Sequence, residues 1–80
     1  MDSVGARLNS ARQARGLSIR ALARLSTVSY TMVSYIENDQ REPTVGLVRR
    51  LARALGVSPC WLAFGPDGGR VRQNTTNDTT

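Results

Sequence analysis

Between Ser18 and Asn38 the sequence holds two short helical stretches separated by Ser26-Thr27-Val28, and the second stretch has two unlike sides. With Ser29 as N-cap and about 100° per residue, Tyr30, Thr31, Ser34, Tyr35 and Asn38 share an arc roughly 140° wide. Met32, Val33 and Ile36 fall on the opposite arc, with Glu37 at its border. One side is uncharged, polar and aromatic, and the other is apolar. A face meant only for water is ordinarily rich in Glu, Arg and Gln. Two tyrosines on one stand out in a chain with one Trp, two Tyr and one Phe. The pattern requires a core behind this helix and leaves its other side built for contact.

The rest of the chain reads as helices that could supply that core. Ser3 caps a first helix running to about Arg15, stopped by Gly16, with Val4, Leu8 and Ala11 as its buried stripe and Arg12 at the stripe's edge. Arg15 falls on that stripe in the last turn, where it suits the negative end of the helix dipole. Ser18 caps a second helix, Ile19 to Leu25, with Leu22, Ala23 and Leu25 predicted inward and Arg20 and Arg24 outward. Val28 and Val33 have hydrophobic-staple spacing around the Ser29 cap, and the third helix is predicted to end near Asn38. Thr44 caps a fourth, Val45 to Leu55, lined by Leu47, Val48, Leu51, Ala52 and Leu55 and stopped by Gly56. Ser58 and Pro59 open a short fifth helix of about six residues carrying Cys60, Trp61, Leu62 and Phe64. Residues 1–65 are thus predicted to form one all-α domain, and 66–80, Asn/Thr-rich without hydrophobic period, a disordered tail or linker.

Composition narrows the function classes. The formal net charge is +5, every basic residue is arginine, and residues 1–65 carry the whole excess. Such a balance favours an acidic partner, nucleic acid before anionic membrane. No apolar run approaches a membrane span and the N-terminus lacks an apolar signal segment, which predicts a soluble, cytoplasmic protein. The chain has no histidine, no carboxylate pair at helical spacing and no phosphate-cradling glycine loop, so an enzyme is not expected. A single cysteine, Cys60, excludes a disulfide framework and a cysteine-cluster zinc site, and no metal, cofactor or small-molecule ligand is indicated.

From Leu8 to about Gly65 the chain resembles the lambda-repressor-like helix-turn-helix domains, the Cro/CI-type or XRE family. The stretches that carry the resemblance are Arg15-Gly16-Leu17-Ser18, Leu22-Ala23, Val28-Ser29, the run from Val33 to Asn38, Pro43-Thr44 and the run from Leu51 to Ser58. The closing Trp61-Leu62 is similar to phage-repressor members. The resemblance implies a five-helix bundle containing a helix-turn-helix, with the helix matching 29–38 in the major groove and the preceding one across the backbone. By position, Tyr30, Thr31 and Tyr35 match the family's base readers, with Ser34 beside them. Ser29, Asn38 and Arg41 match phosphate-holding positions, as does the helix start near Ser18 and Ile19. Arg12 and Glu37 match a pair that bridges the first and third helices.

Three positions depart from the family pattern. Thr27 and Asp39 stand where glycine is usual, and if positive φ is required there a β-branched threonine resists it more than an aspartate. Ile19 stands where a phosphate-binding glutamine is common, which leaves that contact to the backbone or passes it to Arg20. The resemblance further implies a repressor that binds a palindromic operator in double-stranded DNA as a homodimer. Trp61, Leu62 and Phe64 exceed what a six-residue helix must bury and are the candidates for the dimer surface, with core closure as their other reading. An antitoxin or coactivator-like protein-interaction module on the same fold is the competing function, and steep salt dependence of DNA affinity separates the two.

Overall fold

Each helix begins at a hydroxyl. In the computed structural model, which describes residues 3–66, Ser3, Ser18, Ser29, Thr44 and Ser58 each accept a hydrogen bond from the backbone N–H three residues on, at 3.0–3.2 Å. This satisfies one of the donors that every helix leaves without an internal partner. The caps open α1 (Val4–Ala14), α2 (Ile19–Ser26), α3 (Tyr30–Glu37), α4 (Val45–Leu55) and α5 (59–66). No strand occurs among the described residues. The chain is an all-α bundle of five helices there, with α2 and α3 as its helix-turn-helix.

The first four helices close with one device. After each, a residue at positive φ allows two backbone hydrogen bonds to fold back over the last turn. Those residues are Gly16 (φ +67), Thr27 (φ +56), Asp39 (φ +60) and Gly56 (φ +71). Both family-glycine positions, one between α2 and α3 and one after α3, therefore adopt the left-handed conformation, and Thr27 adopts it against its β-branch.

The helices meet over Leu8, Leu22, Val33, Ile36, Leu51, Ala52, Leu55 and Leu62, all with 1% or less of their surface exposed. α1 packs on α3, and α2 packs on both α3 and α4. Where α1 crosses the end of α3 the fit is close enough to require glycine. A Cβ on Gly5 would stand 2.4 Å from the Ile36 carbonyl oxygen and 2.8 Å from that of Glu37.

Three expectations need correction. Leu25 is 59% exposed, not inward. The buried side of α2 is the arc shared by Leu22, Ser26 and the half-buried Ile19 and Ala23, and Leu25 lies about 110° from the midpoint of that arc at helical step. Ser26 belongs to the helix, not the break, with its hydroxyl donating to the Leu22 carbonyl at 2.7 Å. Helix α5 covers 59–66 and takes in Pro66, the first residue of the predicted tail; residues 67–80, the rest of that tail, lie outside the described residues.

Candidate nucleic-acid interface

The exposed side of α3 is held from behind by apolar packing and from its C-terminal end by charge. Val33 and Ile36 are buried, while Tyr30 is 49% and Tyr35 41% exposed. Thr31 is exposed and Ser34 half-buried beside them. The four residues thus share one surface carrying hydroxyls, methyl groups and ring edges without a formal charge. Such a surface can donate and accept hydrogen bonds and can lie against a thymine methyl, but it lacks the bidentate chemistry of Arg on guanine or Asn and Gln on adenine.

Arg12 and Glu37 form the ion pair that joins α1 to α3. Arg12 Nε donates to Glu37 Oε2 at 2.7 Å and Nη2 to Oε1 at 3.2 Å, with side chains only 13% and 5% exposed. Asn9 Nδ2 donates to the same carboxylate at 2.9 Å, and Arg12 Nη1 donates to the Leu17 carbonyl at 2.7 Å. Every charged oxygen is therefore met, so the pair fixes the angle of α3 without leaving a bare charge in the interior. Ser3 adds a donor to Asp39 Oδ2 at 3.1 Å, tying the start of α1 to the residue that stops α3.

Around this surface stand the residues expected at phosphates. Ser18, Ser29 and Arg41 are exposed, as is Asn38, whose side-chain N–H donates to the Ser34 carbonyl at 2.9 Å and so serves partly as a helix cap. Ile19 packs its side chain against the core, which leaves only its backbone to face an anion. Arg20 lies over Tyr30, with its Cζ 5.3 Å from the ring centroid. At the other end of the molecule Leu62 is 1% exposed and belongs to the core, so it is withdrawn from the dimer candidates. Trp61 is half-buried against that core, and Phe64 is 61% exposed.

The sequence reading missed three roles, those of Arg7, Arg15 and Gly5. Arg7 is 7% exposed, with Nε donating to the Leu62 carbonyl and Nη2 to the Ala63 carbonyl, each at 3.0 Å. Its position three residues after Val4 and four before Ala11 placed it on the apolar stripe, and that was the available signal. Arg15 Nη1 reaches across to the Leu55 carbonyl at 2.8 Å and so caps α4, not its own helix. Arg7 and Arg12 turn inward, so the basic excess overstates the charge offered to a partner. The third is Gly5, which nothing in the local pattern marks.

A family model described as helix-turn-helix matches residues 8–62. The chain belongs to the XRE, or lambda-repressor-like, helix-turn-helix family. Among XRE relatives, the HTH-type transcriptional regulator PuuR of Escherichia coli K12 is 37% identical over 54 residues, 68% of this chain and 29% of PuuR. The chain thus spans less than a third of the length of that curated relative. Two solved family structures superpose on it. The restriction-modification controller protein C.AhdI from Aeromonas hydrophila has a TM-score of 0.71 and 37% identity, covering 74% of this chain and 89% of its own. The P22 c2 repressor in complex with a synthetic operator has a TM-score of 0.76 and 28% identity, covering 81% of this chain and 98% of its own. No helix among the described residues is long and apolar enough to cross a membrane.

Proposed function

We propose that the protein is a sequence-specific DNA-binding transcription regulator, a repressor, that lays α3 in the major groove of a palindromic operator. The observation that carries this reading is the uncharged surface of Tyr30, Thr31, Ser34 and Tyr35, exposed on a helix whose back is buried and whose angle is fixed by Arg12 and Glu37. The transcriptional regulators among its relatives and the likeness to a repressor solved on its operator support it. Tyr30, Thr31 and Tyr35 meet base edges with Ser34 beside them; Ser18, the Ile19 backbone, Arg20, Ser29, Asn38 and Arg41 hold phosphates. With no bidentate reader on the face, recognition rests on thymine methyls, bridging water and the shape of the duplex.

One such helix spans only a few base pairs, so the operator is read by a homodimer across two half-sites. The surface that fits a second copy is an open groove of ≈ 710 Å3 lined by Val45, Val48, Pro59, Cys60, Ala63 and Phe64. Val45 and Phe64 are 71% and 61% exposed, and Glu42 and Arg49 bring opposite charges to the same groove, a set that a two-fold contact can pair with itself. Selection of bound sites from random duplex DNA tests both halves of the reading, since it reports binding, symmetry and spacing at once. Replacing Tyr30 or Tyr35 by alanine should weaken binding to the selected site by ~1–3 kcal/mol. Unchanged affinity in both variants would show that these rings do not read bases.

A further inference from the structure

Arg20 and Tyr30 sit on different helices, each in the first turn after its cap. The Arg20 Cζ lies over the Tyr30 ring at 5.3 Å from the centroid, inside the ~6 Å range over which a guanidinium is attracted to a ring face. Both side chains are exposed, so burial does not force them together. Among the described residues no hydrogen bond or ion pair engages the Arg20 guanidinium otherwise. The neighbouring Ile19 has turned into the core, which leaves Arg20 as the only charged side chain in the first turn of α2.

We infer that Arg20 is a positioning residue for base reading: it holds the Tyr30 ring against its planar face while its edge grips a backbone phosphate, so that the two contacts form as one unit. This rests on the DNA-binding reading above and adds to it a coupling between a phosphate contact and a base contact. The physical basis is the shape of the guanidinium. Its face interacts with the ring through cation–π attraction, while its five N–H donors lie in the plane and point outward, matched to a phosphate in bidentate fashion. A phosphate bound at that edge fixes the plane, and the fixed plane sets the ring. One face of Tyr30 is covered, so the ring presents its edge and hydroxyl to the base pair and does not stack on an unstacked base. Lysine keeps the charge for the phosphate but has no plane to set the ring.

The test uses the full chain and the duplex selected above, alongside a scrambled duplex of equal length. Arg20→Lys keeps the charge but loses the bidentate phosphate contact, so affinity for the scrambled duplex should fall modestly with the salt slope near wild type, while the ratio of specific to nonspecific affinity falls by about threefold to tenfold, the range for a partly desolvated cation–π contact. Arg20→Ala should lower the same ratio and also reduce the salt slope by about 1, the signature of one lost phosphate. Tyr30→Leu should cost the ratio less in the Arg20→Lys background than in wild type. In the DNA-free protein, Tyr30→Leu should abolish the ring-current shift of the Arg20 side-chain resonances. Arg20→Lys with an unchanged ratio, or additive effects of the two substitutions, overturns the coupling and leaves the DNA-binding reading standing. A wild-type protein that prefers no duplex overturns both.

Discussion

Thr27→Gly should stabilise this protein, although it replaces a helix-flanking residue with the most flexible one available. Thr27 sits at φ +56 in the turn between α2 and α3. There a side chain with a Cβ crowds the carbonyl oxygen, at a cost of about 1–2 kcal/mol. Glycine removes that term. It returns about 0.5–1 kcal/mol by freeing the unfolded chain. The Thr27 hydroxyl donates to the adjacent Ser26 carbonyl, but on an exposed residue this bond offsets only a few tenths of a kcal/mol by the scale of net hydrogen-bond contributions. The balance is a gain of about 0.5–1 kcal/mol, equivalent to a rise in Tm of about 2–8 °C for a domain of this size. Thermal melts followed by circular dichroism and urea titrations should show the higher Tm and midpoint with an unchanged m-value. Gly56→Ala, at φ +71 and with its new Cβ 2.8 Å from Arg15 Nη1, should move the other way. A Thr27→Gly protein that melts at or below the wild-type temperature would refute the claim that strain is held in this turn.

Three further substitutions test other parts of the framework. Glu37→Ala should cost about 3–5 kcal/mol in urea unfolding by leaving the Arg12 charge half-sealed, and pairing Glu37→Leu with Arg12→Met should cost less than the two single losses added. Gly5→Ala should destabilise by about 1–3 kcal/mol by pressing on the Ile36 carbonyl. Gly46→Ala, with its nearest outside atom 3.9 Å away, should instead gain about 0.5–1 kcal/mol, so a common sign in their melts would refute the packing argument. Leu25→Ser should change stability by no more than about 0.5 kcal/mol, as a surface site does, and a core-sized loss would restore Leu25 to the interior.

Most of the framework was readable because its punctuation is local. A hydroxyl followed by an apolar period marks a helix start, and the bounds of α4 follow directly from Thr44 and Gly56. The two sides of α3 were equally legible, since Val33 and Ile36 must be buried somewhere and the tyrosines then cannot be. What failed depended on partners far along the chain. Leu25 looks buried until α4 fixes which way α2 faces. Arg7 looks like a surface charge until α5 offers its carbonyls, and Leu62 looks spare until Leu8 and Leu55 close over the same core. Gly5 carries no signal at all without the path of α3. At the candidate site, positions were inferable from the helix alone, but the placing of the Arg20 guanidinium over Tyr30 requires the angle between two helices.

Arg7 has a consequence for where the protein can be cut. Its guanidinium takes the Leu62 and Ala63 carbonyls as acceptors from deep inside the fold. A protease or a shortened gene that ended the chain ahead of Leu62 would strand a cation among hydrocarbon, and the loss would register at the opposite terminus. Helices α1 and α5 therefore stand or fall as one, and a reporter should be fused only downstream of residue 66.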